Sequence, residues 1–299
     1  MKVQIKKKRK QEVNDFQINP IYQIDDTLNL DRHGALQNAS TFPDFQNQLE
    51  KFKIELLNNI EKAKSVSYYK FGDGDYYFLK GKPVGSAKPG NRALSRQLTK
   101  SELNLYRKGA CENDKYLCEI YPENRKKFKK VLRNTRIDYP SEFIYGLIAS
   151  RWVTSLPYKI GLIGSANKLA IIKKLTDSAE YKNYIGREEF QSYISIPQRF
   201  ACDNLDLRLK EIAEQITIGN SDLYLVGIGH LKSGVLHELK KMQNAVFLDI
   251  GSGIDALAGV VDSERPYFGN WKNFRLQDEK FYDDLDLLNF NGQNIIQLD

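Results

Sequence analysis

Three observations predict an α/β fold for this 299-residue chain, with a Rossmann-like, mostly parallel sheet and helices on both faces. Short apolar runs of strand length alternate with longer segments of helical periodicity between residues 45 and 250. Several of the runs end in glycine and small polar residues, as strand-to-helix turns do. The chain also lacks an internal repeat and an obvious linker. Alternating strands and helices imply parallel strands joined by helical crossovers.

The first elements follow from apolar spacing. A helix is predicted after Pro43-Asp44, because apolar side chains recur at helical spacing: Phe45, Leu49, Phe52, Leu56 and Ile60. A strand over residues 68–71 follows. After a glycine- and proline-rich loop over residues 81–90, a second helix carries Leu94, Leu98 and Leu105 and ends near Gly109.

The same alternation continues to residue 250. Strands are predicted at 116–121, 160–163, 192–196, 223–226 and 245–250, and helices at 123–134, 166–175, 204–216 and 231–242. Three regions result: a polar N-terminal lead (1–43), a Rossmann-like domain (44–271) and a C-terminal extension (272–299). The extension carries apolar residues among acids, and it either packs back on the domain or recognises a partner.

The composition indicates in which cellular compartment the protein is expected. No apolar run approaches the ~20 residues that a bilayer requires, and the basic N-terminus lacks the apolar core of a secretory signal. The cysteines, Cys111, Cys118 and Cys202, have neither metal-ligand spacing nor an even number. A cytoplasmic protein without a membrane span is therefore expected.

The net charge of +7 raises the question of nucleic-acid binding. Much of the excess lies in the run Lys6 to Lys10 and in basic segments such as Lys126 to Arg136. Charges of this kind are usually solvated helix faces or tails, and no zinc-finger or RNA-binding signature accompanies them. Nucleic acid is thus not the expected partner.

The segment FGDGD places Asp73 and Asp75 one residue apart at the end of an apolar run, between Gly72 and Gly74. Glycines permit a sharp turn and close approach of a ligand. Hard cations such as Mg²⁺ or Mn²⁺ prefer carboxylates, often with substrate phosphates completing the shell. A divalent-metal site is one interpretation, and an Asp-Gly hairpin turn is the other.

Two further segments end predicted strands with glycine and begin helices. The first contains Gly164, Ser165 and Lys168, and the second contains Gly227 and Gly229. Backbone N–H groups at helix starts favour phosphate. Neither segment is a complete dinucleotide fingerprint, so tight turns without a ligand remain the alternative.

The segment FLDIGSGID over residues 247–255 resembles, taken alone, the first motif of S-adenosylmethionine-dependent methyltransferases. That motif normally opens a sheet, whereas only about fifty residues follow here, too few for several βαβ units of ~30 residues. We therefore expect this segment to close a sheet already built. A methyltransferase stays an alternative function, as does a non-catalytic nucleotide- or nucleic-acid-binding module.

Four segments taken in order resemble the glycosyltransferases of GT-D fold: FGDGD, NRALSRQL, VGIGHLKSGVLHELKK and FLDIGSGIDALAG, the last followed by Arg265-Pro266 and Trp271. The resemblance covers residues 51–271. It implies a Rossmann-like domain that uses a divalent ion to hold a nucleoside-diphosphate sugar, with an Asp-x-Glu motif as the metal element. Here Asp75 replaces the Glu and is one methylene shorter.

The resemblance implies transfer from a UDP-sugar to a glycan or another hydroxyl acceptor, with Mn²⁺ or Mg²⁺ at Asp73 and Asp75. Such a reaction needs charge neutralisation at the diphosphate leaving group. Lys88, Arg92 and Arg96 follow the metal segment and are further candidates for phosphate contact, although solvated helix positions are the alternative.

An inverting reaction needs a base for the acceptor hydroxyl, and the candidates are Asp255, Asp249 and His230. Asp255 is the first choice because it lies in a glycine-rich loop after a predicted strand. Capping of a helix that begins near Ala256 is its alternative role. The sequence does not distinguish retention from inversion.

Overall fold

The computed structural model describes residues 45–82, 98–260, 274–276, 282 and 296–298. The predictions for the lead at 1–43 and for Leu94, Lys88, Arg92 and Arg96 lie outside these residues. Within them, no helix is both long and apolar enough to span a bilayer.

The first half of the described chain contains helix α1 (Phe45–Glu61), strand β1 (Val66–Phe71), α2 (Asp73–Leu79), α3 (Lys100–Ala110), β2 (Lys115–Cys118), α4 (Pro122–Val131), β3 (Tyr139–Pro140) and α5 (Glu142–Ala149). The second half contains β4 (Ile160–Ser165), α6 (Ala166–Leu175), α7 (Ala179–Ile185), β5 (Ser192–Ile196), α8 (Leu205–Gly219), β6 (Leu223–Gly227), α9 (Lys232–Met242), β7 (Val246–Asp249), α10 (Gly253–Leu257), β8 (Phe274–Leu276) and β9 (Ile296–Leu298). A short 3₁₀ turn, Gly229–Leu231, precedes α9.

Seven strands form one sheet in the order β3-β2-β1-β7-β6-β4-β5, and every pairing in it is parallel. The predicted α/β fold is therefore confirmed. Among the described residues β7 is the last strand of this sheet along the chain, so the DIGSG segment closes the sheet as expected. In the register, Tyr68 of β1 pairs with Lys115 of β2 on one side and Leu248 of β7 on the other.

Helices cover both faces of the sheet and divide the core into two layers. One layer includes Phe45 of α1, Phe143 of α5, Ile171 of α6, Tyr181 of α7 and Leu257 of α10. The other includes Phe78 of α2, Tyr106 of α3, Phe128 of α4, Ile212 of α8 and Leu239 of α9. Because the strands are buried on both faces, their sequences are nearly continuous apolar runs.

Two sequence-based interpretations are corrected. The FGDGD segment is not a hairpin turn, because β1 pairs only with parallel neighbours and α2 begins directly at Asp73. The following helix begins at Lys100, where Thr99 forms a capping box with Glu102, so Leu98 precedes it. The local capping geometry, not the apolar spacing, determines both helix starts.

Six elements of the described structure are absent from the sequence prediction: α2, β3, α5, α7, β8 and β9. β3 has two residues, too few for a periodic signal. All eight residues of α5 are buried, so its sequence has no polar face from which a helix could be recognised.

Part of the C-terminal extension packs against the domain. The ring of Phe274 lies 5.4 Å from that of Tyr181 and 4.7 Å from that of Tyr184, centroid to centroid. Phe274, Leu276 and Tyr282 belong to the layer that contains α7. Of the two roles left open for this segment, packing on the domain applies to these residues.

Candidate active site at the carboxyl edge of the sheet

Three adjacent strands, β1, β7 and β6, end side by side at the centre of the sheet. The chain leaves β1 and β6 toward α2 and α9 in one helix layer, and it leaves β7 toward α10 in the other. Loops that diverge to opposite faces open a crevice beyond the carboxyl ends of parallel strands. Most of the charged residues of the candidate site lie at the ends of these three strands.

Asp75 sits in the first turn of α2, and its carboxylate turns back toward the strand end. Its Oδ2 accepts a hydrogen bond of 2.8 Å from the Gly72 N–H and lies 3.1 Å from Lys232 Nζ. The side chain is almost fully buried. Burial by itself raises the pKa of Asp75, but Lys232, His230 and the Gly72 N–H outweigh it and hold that pKa far below the ordinary value.

Lys232, the first residue of α9, joins two strand ends. Its ammonium lies 2.8 Å from Asp249 Oδ2 and also donates to the carbonyl of Lys70. Burial lowers the pKa of Lys232, yet attraction by Asp249 and Asp75 raises it above the ordinary value. Asp249, fully buried at the end of β7, also accepts from the N–H groups of Lys70 and Gly251, at 3.0 and 2.9 Å.

His230 lies on the solvent side of this network, with 29% of its side chain exposed. Its ring stacks on Phe78 with centroids 4.8 Å apart and planes 7° apart. Its Nδ1 lies 3.4 Å from Asp75 Oδ1. One ring nitrogen is thus oriented by a buried carboxylate, an arrangement typical of a histidine that moves a proton at its other nitrogen.

Asp73 differs from Asp75 although the two are one residue apart. Its side chain is exposed, and its Oδ1 accepts only from the N–H of Gly74, at 2.7 Å, among the contacts of the described residues. The helical geometry of α2 turns the two carboxylates in different directions. Asp75 is held by protein groups, and Asp73 faces solvent.

The charged network extends to residues that sequence reasoning missed. Lys70, in β1, places its Nζ 4.9 Å from the centroid of the Tyr145 ring. The hydroxyl of Tyr145 donates to Glu119 at the end of β2, at 3.0 Å. Glu142, at the start of α5, accepts from the N–H of Ile120 at 3.1 Å. Lys70 directly precedes the FGDGD segment, and a charged residue within an otherwise apolar strand is the signal that could have identified it.

Burial raises the pKa of Glu142 to about 8, with repulsion from Glu119 adding to the effect. The carboxyl of Glu142 is therefore largely protonated at neutral pH. Burial also lowers the pKa of Lys70, and the neighbouring charge of Lys232 lowers it further.

The glycine segments have packing roles that sequence reasoning left as an alternative. A Cβ on Gly227 would lie 2.5 Å from atoms of Ile254, and one on Gly164 would lie 3.1 Å from the same side chain. Both glycines therefore permit α10 to pack on β4 and β6. Gly229 differs, because its φ is +57° and a Cβ there would meet nothing within 4 Å.

Lys168 and Asp255 form an ion pair of 2.5 Å that joins α6 to α10. Helix α10 begins at Gly253, so Asp255 lies in its first turn and does not cap a helix beginning at Ala256. The alternative role predicted for Asp255 is therefore wrong. Ser165 precedes α6 with a buried hydroxyl that makes no hydrogen bond in the described structure.

Another group of possible metal ligands lies on α9 and beyond the end of α3. The ligand atoms of Glu112, His237 and Glu238 lie within 4.8 Å of one another, the one such group of three found in the described ranges. Lys241 also pairs with Glu238 at 2.7 Å. The predicted metal residues Asp73 and Asp75 are not part of this group.

No protein-family model matches the chain, and no curated protein matches it in sequence. One solved structure with a similar fold is described as a new glycosyltransferase (DUF1792) from Streptococcus sanguinis. It is 14% identical, with a TM-score of 0.46, and the match covers 77% of this chain and 90% of that chain. The neighbour is of the class that the sequence motifs resemble. At this identity and TM-score, the likeness supports no inference about substrate or mechanism.

Proposed function

We propose that the protein is a glycosyltransferase that moves a sugar from a nucleoside-diphosphate sugar, with UDP as the nucleotide, to a hydroxyl acceptor such as a glycan. The observation that carries the proposal is the juxtaposition of exposed Asp73 with the buried network of Asp75, Lys232 and Asp249 and with His230. A carboxylate for a cation, fixed positive charge and an oriented imidazole meet the requirements of a reaction with a diphosphate leaving group.

Asp73 is the residue of the FGDGD segment that is available to bind a divalent ion. Its exposed carboxylate lacks a cationic partner in the described structure, whereas Asp75 Oδ2 is already engaged by Lys232 and Gly72. Mg²⁺ and Mn²⁺ are commonly held by one or two carboxylates plus substrate phosphates. We therefore assign Asp73 as the direct ligand and Asp75 as its buried support. A bound ion would supply charge neutralisation at the diphosphate.

His230 is the residue we assign to proton transfer with the acceptor hydroxyl. Stacking on Phe78 and the approach of Asp75 Oδ1 orient its ring, and its partial exposure leaves the other nitrogen accessible to a substrate. Asp249 is fully buried and is bound by Lys232, so its carboxylate is not exposed to an acceptor. Asp255 is engaged by Lys168. These two remain weaker candidates from the sequence.

The methyltransferase alternative is disfavoured by the surroundings of Asp249. A motif that binds S-adenosylmethionine through its acidic strand end needs that carboxylate to be available to the ligand. Here the carboxylate accepts from Lys232 and from two backbone N–H groups without exposure to solvent. The acidic residue of DIGSG therefore has a structural use in this chain.

A thermal-shift experiment tests the proposal. We expect UDP or a UDP-sugar to raise the melting temperature only with Mn²⁺ or Mg²⁺ present, since a ligand at 100 times its Kd adds about 2.7 kcal/mol to folding stability. The Asp73→Asn variant should lose this response and keep the wild-type melting temperature without ligand. Asp177→Asn, which changes an exposed carboxylate near the end of α6, is the matched control and should retain it.

A response to S-adenosylmethionine in place of UDP would favour the methyltransferase. Binding to polyanions that collapses with salt, without response to any nucleotide sugar, would favour a nucleic-acid-binding module. Either result overturns the proposed function.

A further inference from the structure

Lys70 is a buried lysine that has no ionic partner among the described residues. The residue is 7% exposed, and within the described structure its ammonium has no hydrogen bond and no carboxylate oxygen within 4.0 Å. The ring of Tyr145 lies on one side of it. Lysines are almost never this buried unless they are paired, so the position needs an explanation.

The carboxylates around Lys70 already have other donors. Asp249 is bound by Lys232, and Glu119 accepts from Asn124 and Tyr145. Glu142 accepts from the N–H of Ile120, and its raised pKa of about 8 leaves it mostly neutral. The charge of Lys70 is thus attracted by acidic neighbours without being bound by any of them.

Gly251 keeps space free beside the ammonium. Its φ of +52° is in the left-handed region, and a Cβ placed there would lie 3.5 Å from Lys70 Nζ and 4.0 Å from Asp249 Oδ1. Any other residue at position 251 would therefore place its side chain against the ammonium. The DIGSG segment begins at the last residue of β7, and β1 leads into FGDGD. The two segments lie next to each other at this point.

Lys70 and Asp73 share one strand end. Asp73 is three positions after Lys70, so their Cα atoms are at most about 11 Å apart. A lysine donates three hydrogen bonds and accepts none, which makes an oxyanion its natural ligand. A diphosphate near Asp73 is the oxyanion that the proposed reaction would bring to this edge of the sheet.

We propose that the Lys70 ammonium binds a phosphate oxygen of the donor's diphosphate, in the space that Gly251 leaves open. This inference rests on the proposed function for the identity of the ligand. The DIGSG segment would then contribute to donor binding because Gly251 has no side chain to fill this space, and not by contacting the donor itself. Lys70 is a binding residue in this assignment and takes no part in proton transfer.

Calorimetric titration of the full chain with inorganic pyrophosphate, UDP and uridine, each with Mn²⁺, tests the assignment. Lys70→Met should weaken pyrophosphate and UDP at least tenfold and leave any uridine affinity unchanged, while Lys70→Arg should stay within a few-fold of wild type. Gly251→Ala should weaken the same two ligands without any change of charge.

Lys53→Met is the matched control. Lys53 is 5% exposed and lies 5.6 Å from the Trp152 ring, but it pairs with Glu50 at 2.6 Å and lies in α1. This variant should bind all three ligands like wild type. Melting temperatures of every variant separate lost binding from lost folding, and Gly251→Ala keeps the test informative if Lys70→Met does not fold.

The outcomes distinguish the two proposals. UDP binding that is as tight in folded Lys70→Met and in Gly251→Ala as in wild type overturns the role of Lys70 and leaves the proposed function standing. Binding of pyrophosphate that depends on Lys70, without turnover of any nucleotide sugar, supports the anion site and overturns the glycosyltransferase. If wild type binds neither pyrophosphate nor UDP, both are wrong.

Discussion

Lys232 Nζ lies 2.8 Å from Asp249 Oδ2 and thereby ties the start of α9 to the end of β7. The same ammonium lies 3.1 Å from Asp75 Oδ2 in α2. One buried cation thus holds two carboxylates from segments that are about 170 residues apart in the chain. It thereby fixes the strand ends that are followed by the exposed Asp73 and the partly exposed His230.

Replacing Lys232 by Met should destabilise the protein strongly. Two carboxylates would remain buried without their cation, and breaking a buried pair in this way costs about 3–5 kcal/mol. Urea denaturation measures the effect. Lys210→Met removes an exposed cation 4.0 Å from Glu214 on α8, and this control should change stability by no more than about 0.5 kcal/mol. Equal effects of the two variants would contradict the network.

Asp75→Asn and Asp73→Asn should separate stability from metal binding. Asn at position 75 lacks the negative charge that interacts with Lys232 and His230. We therefore expect the free energy of unfolding to fall by on the order of 2–3 kcal/mol. Asn at position 73 should leave stability within about 0.5 kcal/mol, because the side chain is exposed. Thermal melts and manganese-dependent UDP binding, measured on both variants, check this. Strong destabilisation by Asp73→Asn would contradict the assigned roles.

The Glu142→Gln variant should have a flatter pH dependence of stability. Glu142 has a pKa of about 8 in the folded state, above its ordinary value of 4.5, so the folded state holds the extra proton between these values. The unfolding free energy should therefore fall as the pH rises from about 5 to 8, by on the order of 2–4 kcal/mol. Denaturation midpoints across this range measure it. A wild type and a variant with the same slope would show that Glu142 is ionised when folded.

His230→Gln should reduce turnover with little effect on donor binding. A positioned acid or base contributes typically 10²- to 10⁴-fold to rate, so kcat should fall by about that factor while the Kd for UDP changes less than about threefold. Initial rates of UDP release and calorimetric titration check the two parts. A parallel loss of donor affinity would indicate that His230 binds the donor.

Gly227→Ala and Gly229→Ala should differ in stability. A Cβ at 227 would lie 2.5 Å from Ile254, and overpacking of this kind costs typically about 1–3 kcal/mol. At 229 a Cβ meets open space, so the cost is limited to about 1 kcal/mol from the positive φ. Chemical denaturation of both variants measures the difference. A less stable Gly229→Ala would contradict the packing role of Gly227.

Much of the fold could be predicted from local pattern. The helix at 166–175 and the strand at 192–196 have the predicted bounds, because each is a complete amphipathic or buried run with clear ends. The prediction failed at β3, which has two residues, and at α5, which is buried on every side, because neither segment has a recognisable hydrophobic period. It also failed at Asp73, where a helix begins inside a segment whose glycines suggest a turn.

The sequence by itself determined the alternation of strands and helices, the positions of the glycine turns and the presence of two carboxylates in FGDGD, because these depend on residue type and short-range spacing. Tertiary structure alone decided which charges meet. Asp75 and Asp249 share Lys232, Asp255 pairs with Lys168, and Lys70 is left without an ionic partner in the described structure. Sheet order places β7 between β1 and β6, and that order depends on long-range packing, which no local spacing encodes.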